Sequence, residues 1–348
     1  MLRKTHSRHG GMTIARRQVA RSVSSRWVLA GGALVGALAL SAVGNLLLAQ
    51  QAKRRNPPIG KFMTVNGVRL HYVERGEGEP IVMLHGNGSM IQDFEASGII
   101  DLAAEKYRVI VFDRLGFGHT DRPSGTIWTP EAQADLLQAA LARLDISGAL
   151  VLGHSWGASV AVALALRHPQ AVGSLVLASG YYYATARPDF LALSWPAIPV
   201  IGTFVRYTVA PLLGRLIWPL LMRKIFGPAP TPEKFDRFPK AMALSPSQLH
   251  ASAAESALLI PAAEAFHEQY RNLRAPVVIV AGAADRFINT DQQSVRLHRE
   301  LPHSTLHVVP GAGHMVHQTA PAVVLAAIHE AMSKGGREKQ GISSLRAV

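Results

Sequence analysis

The sequence predicts an α/β protein: a mostly parallel, doubly wound sheet with a helical lid insertion, preceded by one N-terminal transmembrane helix. Three observations carry that expectation. Short apolar runs of strand length alternate with helix-like stretches across residues 61–335. A proline-broken insertion of unusual length separates two of those runs. Ahead of them, Trp27 to Ala49 forms 23 consecutive residues without a charge.

The 348 residues suffice for one large α/β domain plus an appendage, and 48% hydrophobic content supports a sizeable core. The absence of cysteine excludes disulfides, thiolate metal ligation and a cysteine nucleophile. A net charge of +13 points to nucleic acid until it is located. Residues 1–55 hold ten Lys/Arg and no Asp or Glu, leaving 26 basic against 23 acidic residues elsewhere. The folded body is nearly balanced, which removes the main support for nucleic-acid binding.

Residues 1–26 read as a basic segment and residues 27–49 as a transmembrane anchor, since about 20 residues cross a bilayer's hydrocarbon core. Seven Lys/Arg precede the span and three follow it, which orients the N-terminus to the cytoplasm and the body to the outer side. A cleaved secretory signal is the alternative; its apolar region is usually only about 7–15 residues long. Residues 50–60, with Asn56-Pro57-Pro58, form a linker.

From Lys61 the alternation FMTVNGVRLHYVE is centred on Asn66-Gly67, a two-residue hairpin signal. The nearly continuous apolar runs IVMLH (81–85), RVIVF (108–112) and ALVLG (149–153) suit strands buried on both faces of a parallel sheet. Helices are expected around 92–105 and 129–144, the second opened by Thr129-Pro130-Glu131. SLVLAS (174–179), VVIVAG (277–282) and TLHVVPG (305–311) supply three more strands. Residues 181–275, rich in Pro, Trp and Leu, read as a lid, and 336–348 as a polar tail.

Gly153-His154-Ser155-Trp156-Gly157 joins a strand to the helix WGASVAVALALRH. A serine on so tight a turn brings its neighbours at i−2 and i+2 against backbone, where a Cβ would clash. A serine hydroxyl needs a base, itself oriented by an acid. Asp285 follows the strand VVIVAG and His314 follows TLHVVPG, so both fall in loops at C-terminal strand ends, where α/β sheets bind ligands. His317 is the nearest competitor for the base but is expected at the start of the final helix. An oxyanion hole needs two backbone N–H groups, and those of Trp156 and Asn87, in His85-Gly86-Asn87-Gly88, are the candidates. His85 reads as structural.

Together, HGNG (85–88), FDRLGFGHTDRP (112–123), GHSWG (153–157), GAADRFI (282–288) and GAGH (311–314) resemble the α/β-hydrolase fold superfamily over roughly residues 61–335. The resemblance implies Ser155 as nucleophile, Asp285 as acid and His314 as base, with Asp113 and Arg114 in a structural turn. Similar proteins with an HGN loop and a Trp after the nucleophile include haloalkane dehalogenases and epoxide hydrolases, which carry aspartate at the elbow. Ser155 departs from them and favours an acyl-enzyme, so the resemblance implies an esterase or lipase-like hydrolase. Serine members acting on lactones, amides or carbon–carbon bonds, haloperoxidase-like members, and an idle scaffold for ligand sensing remain the alternatives. No cofactor and no metal are expected: no metal-ligand cluster is evident in the sequence, and Gly116-x-Gly118 lacks the rest of a dinucleotide loop. Trp156, Tyr181 and Tyr182 are candidates for the substrate pocket. The apolar lid, with Trp195, Phe204, Tyr207 and Trp218, suggests a lipophilic small molecule. Oligomeric state is not legible.

Overall fold

A computed structural model describes the backbone of residues 11–346 and the side-chain surroundings of residues 28–336. Trp27, the basic residues before it and residues 337–348 lie outside the described side chains. Eight strands form one sheet: β1 (Lys61–Val65), β2 (Val68–Arg75), β3 (Pro80–Leu84), β4 (Arg108–Phe112), β5 (Ala149–His154), β6 (Val172–Ala178), β7 (Val277–Gly282) and β8 (Thr305–Val309). Their order is β1-β2-β4-β3-β5-β6-β7-β8. The first two strands run antiparallel to their neighbours, and β4 through β8 pair in parallel.

Side-chain alternation explains why the central runs read as continuously apolar. In β3, Ile81 and Met83 enter one core cluster while Val82 and Leu84 enter the other. The same split holds in β4, where Val109 and Val111 oppose Ile110 and Phe112. Both faces of these strands are covered, so each position must be hydrophobic. The turn from β1 to β2 has φ of 48° at Asn66 and 79° at Gly67, the positive values that a two-residue primed turn requires.

The helix expected at 129–144 spans Pro130–Arg143, with Thr129 accepting from the amide of Ala132. The helix expected around 92–105 is instead two, Ile91–Ser97 and Ile99–Ala104. Gly98, at φ 81°, takes the left-handed conformation that ends the first. His317 sits in a short separate helix, Val316–Thr319, because Pro321 opens the last one. That last helix runs Pro321–Arg346, so most of the expected polar tail is helical in backbone; no proline interrupts it.

Between β6 and β7 lie the helices Pro188–Leu193, Ile201–Thr208, Ala210–Phe226, Lys240–Ala243 and Pro246–Phe266. The N-terminal helix, Gly11–Arg55, is longer than the expected span. Its part Val28–Arg55 is long and apolar enough to cross a membrane, a property it shares with signal sequences. Its far end packs on the insertion. Ser41 Oγ donates to the Thr208 carbonyl (2.8 Å), and Asn45 Nδ2 donates to the carbonyls of Tyr207 and Thr208 (both 3.0 Å). Those carbonyls close a helix, where intrahelical partners run out, so Asn45 serves as their cap.

Candidate active site

β5 ends where Ser155 adopts φ 53° and ψ −119°, a strained geometry for a residue with a Cβ. The flanking glycines make it sterically possible. A Cβ on Gly157 would lie 2.1 Å from the Leu84 carbonyl oxygen, and one on Gly153 would lie 2.4 Å from that of Gly157. Gly86 lies close as well, though less tightly, since its Cβ would stand 3.1 Å from the Cβ of Ser155. The HGNG loop therefore lies directly against the elbow.

Asp285 and His314 meet as their loops suggested. His314 Nδ1–H donates to Asp285 Oδ2 (2.8 Å), which leaves Nε2 as the free basic nitrogen. Asp285 Oδ1 accepts from the amides of Phe287 and Ile288 (2.7 and 2.8 Å), so the carboxylate is held on both oxygens. The Ser155 hydroxyl makes no hydrogen bond among the described residues. The serine is nonetheless tied to the base through its neighbour: His154 Nε2–H donates to the carbonyl of His314 (3.1 Å), and the two rings lie 5.0 Å apart. The amide of Trp156 opens the helix Trp156–Arg167, where N–H groups lack intrahelical acceptors. The Asn87 amide has no acceptor among the described residues, while its side chain is held by the Ser252 carbonyl and Ser256 Oγ (3.0 and 3.2 Å).

The pocket candidates separate. Tyr181 lines a cavity of about 880 Å³ beside Asp285, together with Arg187, Arg286, Phe287 and Arg296. Tyr182 does not: its ring is enclosed in the core against Tyr270, and its amide donates to the buried Gln293. The Trp156 ring is likewise core, so that residue faces the site with its backbone.

Two buried networks support the loops. His85 is structural as expected, its Nδ1–H donating to the Gly86 carbonyl and its Nε2 accepting from the Arg114 amide (2.8 and 2.9 Å). Arg114 donates to the carbonyls of His85 and Gly86 (2.7 and 2.8 Å) and pairs with Glu255 and Gln133. Asp113 accepts from His71 and from the amides of Ile91 and His119, the turn role the motif implied. Sequence reading missed Glu255 and Gln133, which carry no local motif. It also missed Asp93, which accepts from Ser89, His317 and Gln318 (2.8, 3.0 and 2.8 Å). Asp93, His154 and His317 bring one potential metal ligand each within 4.8 Å of one another. Both Asp93 oxygens are already hydrogen-bonded within the protein, while Nδ1 of His154 and Nδ1 of His317 are buried without a partner among the described residues.

Burial, reinforced by the Arg114 charge, pushes His85 down to about 3, and burial also holds His154 well below the usual imidazole value. Both therefore stay neutral in the folded state at pH values where the unfolded chain, near 6.5, binds protons. Their stability contribution is complete above about pH 6.5 and is lost as pH falls. Stability is therefore expected to fall between pH 7 and pH 5 as the unfolded chain takes up these protons. Denaturant midpoints at pH 7 and pH 5 check this, and equal midpoints would contradict it.

Comparison with known proteins identifies the family. Residues 79–321 match the family model described as the alpha/beta hydrolase fold. A 2-hydroxymuconate semialdehyde hydrolase of Pseudomonas sp. (strain CF600) is 34% identical over 128 residues, covering 36% of this chain and 45% of that protein. The match thus spans less than half of that relative's length. A 2-hydroxy-6-oxononadienedioate/2-hydroxy-6-oxononatrienedioate hydrolase of Pseudomonas putida is 28% identical over 261 residues, covering 71% of this chain and 85% of the relative. A thermophilic esterase from Thermogutta terrifontis superposes with a TM-score of 0.63 at 20% identity, covering 79% of this chain and 99% of that one, which bears on fold alone. With a strand-to-helix serine elbow, an Asp–His pair on neighbouring loops and a family match over most of its length, the chain belongs to the α/β-hydrolase fold family.

Proposed function

We propose that the protein is a membrane-anchored serine hydrolase that cleaves a carboxylic ester carrying an apolar acyl or alcohol group. The observation that carries this reading is the Asp285–His314 hydrogen bond beside a serine on a strained elbow. Ser155 Oγ attacks the ester carbonyl as His314 Nε2 takes the hydroxyl proton, and Asp285 stabilises the imidazolium. The N–H groups of Asn87 and Trp156 receive the developing oxyanion. His314 then passes the proton to the departing alkoxide, leaving an acyl-enzyme. Water, deprotonated by the same nitrogen, releases the acid and restores Ser155. Rotation of the Ser155 side chain on substrate binding completes the hydroxyl–imidazole link, a contact often loose without substrate. The apolar insertion between β6 and β7 acts as the lid over this site, and residues 27–49, within the N-terminal helix, are the retained anchor.

A second reading is cleavage of a carbon–carbon bond in an anionic substrate. It draws on the two Pseudomonas relatives and on the arginines of the cavity beside Asp285. Arg187 and Arg296 are already paired with Asp189 and Glu300, which leaves Arg286 as that cavity's unpaired cation among the described residues. Turnover of short- and long-chain nitrophenyl esters, a lactone, an anilide and a 2-hydroxy-6-oxo-dienoate by the purified full chain separates the two. Ester turnover exceeding the rest by about tenfold or more, a difference of about 1.4 kcal/mol in barrier, is expected. Preferential turnover of the dienoate would replace the ester reading with the second one.

A further inference from the structure

The helix Ala210–Phe226 reverses the usual arrangement of a soluble surface helix. Leu212, Leu213, Leu216, Ile217 and Leu220 recur at helical spacing on one side, and all five face outward, with Leu216 78% exposed. The charge in their midst, Arg215, turns to the opposite side, where Nη1 donates to Asn45 Oδ1 (3.2 Å). The adjoining helix Ile201–Thr208 adds Ile201 and Phe204, with Val200 just before it, as further outward apolar residues. Contiguous apolar surface of this kind marks an interaction site.

The N-terminal helix indicates what covers it. Ser41 and Asn45 fix the end of Ile201–Thr208 against that helix. Asn45 lies four residues, and Ser41 eight, before Ala49, where the apolar run ends. At about 1.5 Å per residue, the Thr208 carbonyl therefore sits about 6–12 Å below the end of the run. Interfacial helices rest at a similar depth, about 5–10 Å into the headgroup–acyl boundary. Exposed Lys53, Arg54 and Arg55 close the N-terminal helix, and exposed Arg223 lies in the last turn of Ala210–Phe226 beside Lys224, which pairs with Asp189; the exposed arginines and Lys53 suit anionic headgroups.

We infer that the outward face of Ala210–Phe226 is seated in the bilayer leaflet that the N-terminal helix enters, so that the insertion itself is a membrane-embedded element. The inference rests on that helix being a retained span. It also gives the substrate a route, because the same helix ends at the catalytic loop: the Ile225 carbonyl accepts from the His314 amide (2.8 Å). A lipid ester can pass along its apolar face toward the base without entering water.

The absence of native cysteine allows single-cysteine labelling of the full chain. Leu216→Cys, Leu34→Cys in the N-terminal helix and Ala142→Cys, exposed near the end of the helix Pro130–Arg143 that leads into the start of β5, would each carry an environment-sensitive fluorophore. The proteins are reconstituted in phosphatidylcholine–phosphatidylglycerol vesicles containing acyl-chain nitroxide lipid. Probes at 34 and 216 are expected to lose most of their emission, and the probe at 142 to keep it. Quenching at 34 with a water-like, unquenched probe at 216 overturns the inference while leaving the anchor standing. Absence of quenching at both positions removes the anchor as well. A probe at 216 that is shielded only at high protein-to-lipid ratio, and unquenched by nitroxide, means a second copy covers the face and also overturns it.

Discussion

Ser155→Ala is expected to lower ester turnover by about 10⁴- to 10⁶-fold, to the level the remaining site provides without a nucleophile. The structure makes this substitution unusually clean. The Ser155 hydroxyl makes no hydrogen bond among the described residues, so its removal leaves no buried polar partner unsatisfied. Alanine at φ 53° bears the same strain as serine, because the strain arises from the Cβ rather than the hydroxyl. The melting temperature is therefore expected to stay within a few degrees of wild type, a shift below about 1 kcal/mol for a chain of this size. Fluorophosphonate labelling of the wild type and its loss in the variant give an independent check. Equal ester turnover by both proteins would place the chemistry elsewhere, or show the triad to be idle.

Glu255→Ala is expected to produce the largest loss of stability, about 3–5 kcal/mol, because it leaves a buried guanidinium without its counter-charge. Arg114 and Glu255 are both fully enclosed, on the loop after β4 and on the helix Pro246–Phe266. The desolvation of Arg114 persists when its partner is removed. Lys61 and Glu74 form the contrasting case: Lys61 is mostly solvent-exposed, and Lys61→Ala is expected to cost far less than Glu255→Ala. Catalysis should fall as well. Arg114 holds the carbonyls of His85 and Gly86, and the helix carrying Glu255 also holds the Asn87 side chain through Ser252 and Ser256. Loosening that helix loosens the proposed oxyanion loop. Denaturant unfolding of both variants tests the first claim, and kcat of Glu255→Ala at a temperature where it remains folded tests the second. Equal destabilisation by Glu255→Ala and Lys61→Ala would contradict the burial argument.

Much of the site was legible because each part is announced locally. Ser155 sits between two glycines that the backbone demands, and Asp285 and His314 each follow a strand by a few residues in a small-residue loop. Loops at the same edge of a parallel sheet face one another, so placing each residue on its loop was enough to bring acid and base together. Tyr182 shows where that approach fails. It follows a strand just as closely, yet its ring turns into the core against Tyr270, 88 residues away in sequence.

By itself the sequence determined the alternation of strands and helices, the primed turn at Asn66-Gly67, the strained elbow and the apolar helix ahead of the body. Each follows from steric or hydrophobic constraints acting within a few residues of one another. Only the tertiary structure decided that Glu255 neutralises Arg114 across 141 positions and that Asn45 closes a helix 163 positions away. It also decided that five aliphatic side chains of Ala210–Phe226 point outward while Arg215 points in. Periodicity reveals that a helix has an apolar side. What that side faces depends on how distant segments pack, and no local spacing encodes it.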